Sequence, residues 1–364
     1  MYGFEIVAYL LGLFLFGGII AILIGFFASS GTAVKRIFTK IGFYWLGIVL
    51  YFFVSLLICL IVRHILWQIF KNKGYSVSIA RQITVAVVLA FTFAMSIYGI
   101  FNAHHLYITN YEVEIDKTSS RKELNIALVS DLHLGYNVGL DEMQDMVNKI
   151  NGLNSDVVII AGDIFDNEYE AIKDPEKIID VLKQINAEHK YAILGNHDIE
   201  EKILMGFTFD WSKQKIVEAS SEMIDFIKES GFTLLYDSYE MIDDIYIYGR
   251  PDQNKINLGN SSRLSPIEIS KTIDTNKPVI VIDHAPGQLQ ELADVGVDLD
   301  LSGHTHNGQV WPGTLTINLF WDNAYGLLQV GKMKSIVTSG VGLFGVNMRT
   351  GCIAEIANIK VKLK

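Results

Sequence analysis

Two kinds of hydrophobic patterning divide the 364-residue chain. Up to about residue 110 the apolar positions form long unbroken runs, Phe4 to Phe27, Ile41 to Val62 and Ile83 to Phe101. A helix rising 1.5 Å per residue needs roughly 20 such residues to cross a bilayer, so residues 1–110 are expected to form a region of three transmembrane helices. Burial in a soluble core is the poorer alternative, because three runs with almost no internal charge exceed what a small core needs. The first run is also too long for a signal-peptide core, and "MYGFE" lacks a basic leader.

From residue 111 onward, short β-rich runs alternate with amphipathic segments, the pattern of one continuous α/β domain over 111–364. Leu124–Val129, Val157–Ala161, Tyr191–Leu194, Val279–Ile282 and Leu299–Leu301 read as buried strands. A helix is expected over Pro175–Asn186, with Asp174 as its N-cap. Another opens at the "SPIE" of Ser265–Glu268, which has the form of a capping box with proline at the first helical position.

Charge separates the two regions further. Residues 1–110 hold seven Lys/Arg and a single acid, Glu5, whereas the remainder holds 23 bases and 39 acids, a net of −16. So acidic a domain is a poor partner for nucleic-acid phosphates, whose binding depends on Lys/Arg, but it would attract divalent cations. The first inter-helix loop carries three bases (Lys35, Arg36, Lys40) and the second four (Arg63, Lys71, Lys73, Arg81). That small bias favours a cytoplasmic second loop and hence an extracytoplasmic α/β domain. In "RHILWQIFKNKGYS", Trp67 and Phe70 sit beside Arg63, Lys71 and Lys73, as at a membrane interface. His104 and His105 follow the third helix and read as interfacial anchors. The two cysteines, Cys59 and Cys352, suggest no disulfide framework.

The candidate chemistry lies where the strand runs stop. Each ends in acids, amides or histidines: "SDLHLG" at 130, "AGDIFD" at 161, "LGNHD" at 194, "DHAP" at 283 and "SGHTHNG" at 302. Ligands of open α/β sheets gather at the carboxyl ends of strands, so five strand ends point to one place. Any one of these motifs alone is an ordinary turn, but five of the six histidines after residue 110 fall in them, leaving only His189 apart. The set comprises Asp131, His133, Asp163, Asn196, His197, His284, His304 and His306. Imidazole with carboxylate or amide oxygen and no thiolate suits Mn, Fe, Zn, Co or Ni. There are too many such groups for one ion. Two divalent ions about 3.5–4 Å apart would form a clamp for in-line displacement at phosphorus, with activation of the attacking water.

In this order, D-x-H, GDxxD, GNHD, a histidine after an apolar strand and GHTHxGQ resemble the calcineurin-like metallophosphoesterases over about residues 122 to 360. The "DLDLSGHTHNGQVWP" form, "GRPD" at Gly249–Asp252 and "SGVGLFGVNMRTG" look most like the membrane-associated bacterial branch of YkuE-type and UDP-2,3-diacylglucosamine pyrophosphatase-like proteins. The resemblance implies a four-layer α/β/β/α sandwich with two mixed sheets. It assigns Asp131, His133 and His306 to a first metal, Asn196, His284 and His304 to a second, and Asp163 to both as a bridge. His197 would face the scissile phosphate as general acid or charge stabiliser, with Asp198 orienting its ring. Many relatives have glycine where Asn307 stands, and a proline before the arginine that Arg349 resembles. Arg250, Arg263 and Arg349 are candidates for gripping substrate phosphate, since guanidinium forks match its oxygens.

The expected function is a membrane-anchored dinuclear phosphoesterase acting through metal-bound hydroxide on a phosphoester or diphosphate, such as that of a lipid or envelope precursor. Its partners would be the bilayer and that substrate. Residues 199–214, with Met205, Phe207, Phe209 and Trp211, could form a lid or lipid-contact surface. The rivals are a membrane sensor or scaffold with a structural metal site and a nuclease of the same fold. Vestigial domains usually lose a ligand or the acid–base histidine, and here every one is present. The acidic charge and the anchor disfavour the nuclease.

Overall fold

The computed structural model describes residues 2–71, 76–201, 203–204, 207–208, 218–253 and 263–364. The chain divides into two compact units, one of residues 1–103 with 345–350, the other of 104–344 with 351–364.

The first unit consists of α1 (Tyr2–Phe27), α2 (Ala33–Phe70) and α3 (Val77–Ala103) together with the 345–350 segment. All three helices are long and apolar enough to cross a membrane. Each exceeds its predicted run, because the hydrophobic segment marks only the part suited to hydrocarbon while the helix continues into polar flanks. Burial is inverted relative to a water-soluble protein: Ser55, Thr84, Thr92, Ser96 and Asn102 are inside, and Phe16, Phe93 and Phe101 are exposed. Apolar surface on this scale is stable only against apolar surroundings, and small polar groups are what helices bury against one another in lipid. The Trp45 ring lies against Gly18, where a Cβ would clash, and its indole N–H donates to the Phe14 carbonyl at 3.0 Å.

The second unit is built on two mixed six-stranded sheets. The first contains β1 (Leu106–Ile115), β2 (Glu123–Val129), β3 (Val157–Ala161), β4 (His189–Ile193), β7 (Thr233–Leu234) and β14 (Ala354–Leu363), in the order β1-β14-β2-β3-β4-β7. The second contains β8 (Ser238–Ile242), β9 (Ile245–Gly249), β10 (Val279–Ile282), β11 (Leu299–Ser302), β12 (Gly326–Val330) and β13 (Met333–Val337), in the order β12-β13-β11-β10-β9-β8. A hairpin of β5 (Ile203–Leu204) and β6 (Phe207–Thr208) stands apart. Strands β2, β3 and β4 are parallel neighbours, as are β9, β10, β11 and β13. Their carboxyl ends therefore share an edge within each sheet.

The two inner faces meet in one core of Ile126, Leu128, Ile159 and Ile193 from the first sheet and Ile247, Ile280, Leu299 and Ile336 from the second. Helices α4 (Leu140–Asn151), α5 (Pro175–Leu182) and α6 (Ser221–Glu229) belong with the first sheet. Beyond the second sheet, α7 (Pro266–Ile269) and α8 (Leu289–Asp294) close a second cluster with Tyr248, Val281 and Met333. These layers form the α/β/β/α sandwich.

All five expected strands are present within two residues at either end. The expected helix after Asp174 stops at Leu182, and Asp174 occupies the N-cap in a left-handed conformation without a side-chain capping bond. The "SPIE" box is complete: Ser265 accepts from the Glu268 N–H, and the Glu268 carboxylate accepts from the Ser265 N–H at 2.8 Å. Strand β1 begins at Leu106, before the residue-110 boundary read from hydropathy, because the alternating "LYITNYEVEI" pairs in parallel with β14.

Candidate metal centre

The five strand ends do converge. Asp131 and His133 follow β2, Asp163 follows β3, Asn196 and His197 follow β4, His284 follows β10, and His304 and His306 follow β11. Backbone bonds join these loops: the N–H groups of Asp131 and His133 donate to the carbonyls of Gly162 and Asp163 at 3.0 and 3.1 Å, and that of Gly303 to His284 at 3.0 Å. The backbone is held in a costly conformation, since Asp131, His133, Asp163, His304 and His306 all have φ between 46° and 71°. Left-handed conformations of non-glycine residues cluster where surrounding structure overdetermines them, commonly at functional sites.

Two groups of side chains result. Asp131, His133 and His306 offer ligand atoms all within 4.8 Å of one another, and so do Asp163, His284 and His304. In the first, His133 Nε2 and His306 Nε2 are 3.0 Å apart and Asp131 Oδ1 is 3.4 Å from His306 Nε2. In the second, His284 Nε2 is 3.1 Å from Asp163 Oδ2, from His304 Nδ1 and from Asn196 Oδ1 alike. Asp163 Oδ2 also lies 3.9 Å from His133 Nε2, so one carboxylate reaches both groups. Buried ring nitrogens aimed at each other across 3 Å fit a cation between them far better than a hydrogen bond between two imidazoles. The residues thus fit two divalent ions. His304 and His306, one residue apart, fall in different groups: the chain turns at Thr305 (φ −77°, ψ −20°), between two histidines whose own φ values are 71° and 49°. Asn307, directly after His306, is left-handed as well (φ 49°, ψ 36°), a conformation that asparagine tolerates.

Electrostatics tune the same atoms. Burial would raise Asp131 and Asp163, but His306 acts on the first and His284 on the second to hold both well below the usual carboxylate range. Burial, reinforced by neighbouring His284, lowers His304 to about 4, leaving a neutral ring able to ligate. Burial also lowers His197, against the pull of Asp163. Burial and the nearby Asp163 raise Asp198 to about 7.

His197 stands beside both groups with its backbone N–H donating to Asp163 Oδ1 at 2.8 Å. Its ring has a partner that the sequence did not single out. Nδ1 meets Asn167 Oδ1, while the Asp198 carboxylate accepts from the N–H groups of Gly195 at 2.7 Å and Phe165 at 2.8 Å. Asp198 thus folds back into its own loop, and Asn167 takes the orienting position. Asn167 gave no signal beyond its place after GDxxD. Asp166, the second acid of that motif, lies 3.6 Å from His133 Nδ1 and fills the supporting role that ligand histidines commonly require. The loop after β13 was also missed: the Val341 and Gly342 N–H groups donate to the carbonyls of Ser130 and Asp131, and Phe344 lies over His133, His197 and His306.

The three arginines proposed for substrate have other surroundings. Arg250, fully buried, bonds Asp283 Oδ2 at 2.8 Å, and Arg263 grips both oxygens of the same carboxylate. Together they clasp the residue preceding His284. Arg349 is fully buried in the helical unit. His104 lies 3.8 Å from Glu142, and the His105 ring is 4.5 Å from that of Tyr107. Met205, Phe209 and Trp211 of the suggested lid lie outside the described residues.

Residues 124–308 match the family model for calcineurin-like phosphoesterases. A transmembrane protein with metallophosphoesterase domain from Danio rerio is 30% identical over 301 residues, covering 78% of this chain and 63% of that protein. YkuE of Bacillus subtilis, an uncharacterized metallophosphoesterase, is 28% identical over 253 residues, covering 65% of this chain and 78% of its own length. A solved dimetal phosphatase from Danio rerio aligns with 60% of this chain and 87% of its own at 11% identity and a TM-score of 0.36. The chain spans 63% of the length of the first of these relatives.

Proposed function

The chain belongs to the calcineurin-like phosphoesterase family, and on that premise we propose that it hydrolyses a phosphoester or diphosphate carried by a lipid or other amphiphile at a membrane surface. It is a metallophosphoesterase with apolar N-terminal helices; substrate, metal assignment and orientation are the proposal. The observation that carries it is the pair of buried ligand groups sharing Asp163.

Asp131, His133 and His306 would hold one divalent ion, Asn196, His284 and His304 the other, with Asp163 between them. When bound, such a pair supplies Lewis acidity toward the phosphoryl oxygens and the attacking water. The rest falls to the chain's own groups. With Nδ1 of His197 turned to Asn167, Nε2 is left to hand a proton to the departing oxygen, or to stabilise its charge. Most of the cluster is buried, with Asn196 and His304 half-exposed, and burial strengthens the charge interactions within it.

The amphiphilic substrate is supported by the inverted burial of the helical unit, since an anchor near a bilayer raises the local concentration of lipid-borne phosphate. The loop-charge bias favours a catalytic unit outside the cytoplasm, where an envelope lipid would be the substrate. The full chain with Mn²⁺ is expected to hydrolyse bis(p-nitrophenyl) phosphate and to stop when chelated. His197→Ala should lower kcat by roughly 10²–10⁴-fold with metal content unchanged. Full activity in that variant, or hydrolysis without metal, overturns the mechanism. Faster turnover of single-stranded DNA than of a lipid diphosphate would overturn the substrate class.

A further inference from the structure

Of the candidate ligands, Asp131, His133, Asp163, His284 and His306 are buried, while Asn196 and His304 are half-exposed. The centre is therefore open on the side of His304. The Trp321 ring stands there, edge to face with the His304 imidazole, centroids 5.2 Å apart and planes at 78°. Trp321 also ends a stretch of distinct composition. From Asn307 to Trp321 the chain holds no charged residue, within a region of 23 bases and 39 acids.

Both ends of this stretch are fixed to the site. Thr305, between the two ligand histidines, donates its hydroxyl to the Ala324 carbonyl at 2.6 Å, and Asn323 Nδ2 donates to the Gly326 and Ser335 carbonyls at 3.2 and 3.1 Å. At the other end Gly308, with φ +71°, lies so close to Gly313 that a Cβ would stand 2.5 Å from the Gly313 carbonyl carbon. Between these ties run α9 (Gly313–Thr316) and a tighter helical turn over Ile317–Leu319. Leu315 and Leu319, four apart as on one helix face, and Phe320 beside them are 66%, 79% and 76% exposed. One such residue would be ordinary, but three within six positions, with no charge among them, make an apolar patch.

We propose that Leu315, Leu319, Phe320 and Trp321 form a docking surface for the hydrocarbon chain of the substrate, leading away from the open side of the metal centre. The inference deepens the reading of an amphiphilic phosphoester and rests on it. Its occupant follows from continuity within the catalytic unit. A phosphate reaching the two ligand groups passes His304, the Trp321 indole flanks that entry, and the exposed side chains begin at the adjacent Phe320. A polar phosphoester would leave this surface unused.

The test uses the full chain in nanodiscs with Mn²⁺ and the ethyl, hexyl and decyl p-nitrophenyl phosphate diesters. In the wild type kcat/KM is expected to rise about two- to fourfold for each methylene the surface covers. Leu319→Ser combined with Phe320→Ser should lower the decyl-to-ethyl ratio about tenfold or more with metal content unchanged, while Ile267→Ser, 62% exposed on α7, keeps the ratio. No dependence on chain length in the wild type, or an undiminished ratio in the double variant, overturns the surface. A decylphosphonate with a terminal diazirine separates this inference from the reading beneath it. Crosslinks at residues 315–321 in a chain with no turnover refute hydrolysis alone, and turnover with those residues unlabelled refutes the surface alone. Labelling of the same residues by a diazirine-bearing lipid of the nanodisc, undiminished by excess decylphosphonate, assigns the patch to the bilayer and overturns the proposal.

Discussion

At the scale of single residues, the separation of His304 from His306 is the sharpest feature. His306→Ala should remove chiefly the ion of the Asp131 group and His304→Ala that of the Asp163 group, each leaving about one ion per chain by elemental analysis, whereas Asp163→Asn should lose both. Equal loss of both ions from either histidine variant would mean a single indivisible site. Asp300 makes a different prediction. Burial, then the nearby Asp283 charge, raises it to about 7, and its Oδ2 accepts from Ser302 and Ser335, both at 2.9 Å. The folded chain keeps this proton up to about pH 7, whereas the unfolded chain releases it near 4. Stability therefore declines as pH rises from about 4 to 7. Asp300→Asn should abolish that decline and gain on the wild type at pH 8 by at most about 4 kcal/mol, from about 1.4 kcal/mol per pKa unit. Unfolding midpoints at pH 5 and 8 give the comparison; an undiminished slope in the variant would exclude Asp300 as its source.

At the scale of elements, strands were legible wherever they are buried on both faces. Val157–Ala161 and Val279–Ile282 contain nothing but apolar residues, and their limits match the structure. The capping box of α7 was equally plain, because its partners are three residues apart and need no tertiary context. Loops were legible only as ligand carriers. That Asn167 takes the ring of His197, or that the segment after β13 closes over Asp131, depends on contacts between residues far apart in the chain. Gly340 shows how tight this closure is: its φ is +76°, and a Cβ there would stand 2.7 Å from that of Asp131. Gly340→Ala is expected to weaken the ion of the Asp131 group at least tenfold in a metal titration, with the other ion retained. Unchanged affinity for both would show that the loop yields.

At the scale of the whole molecule, two units of opposite burial logic make one chain, so a single unfolding free energy is not expected to describe it. Metal binding stabilises only the unit that holds the metal, by about 4 kcal/mol when free ion exceeds its dissociation constant a thousandfold. Chelation should lower the melting of the catalytic unit by several degrees and leave that of the helical unit in place, as separate calorimetric transitions would show; two transitions moving together would contradict this. The sequence alone determined the three apolar helices, the α/β class, the five ligand-bearing strand ends and the need for more than one cation. Each of these is written in local periodicity or residue type. Only the tertiary structure decided which ligands face one another, that Arg250 and Arg263 hold Asp283, that Asn167 meets His197, and that six residues near the C-terminus belong with the helices. Those outcomes depend on where distant segments meet, and side-chain type and spacing carry no record of that.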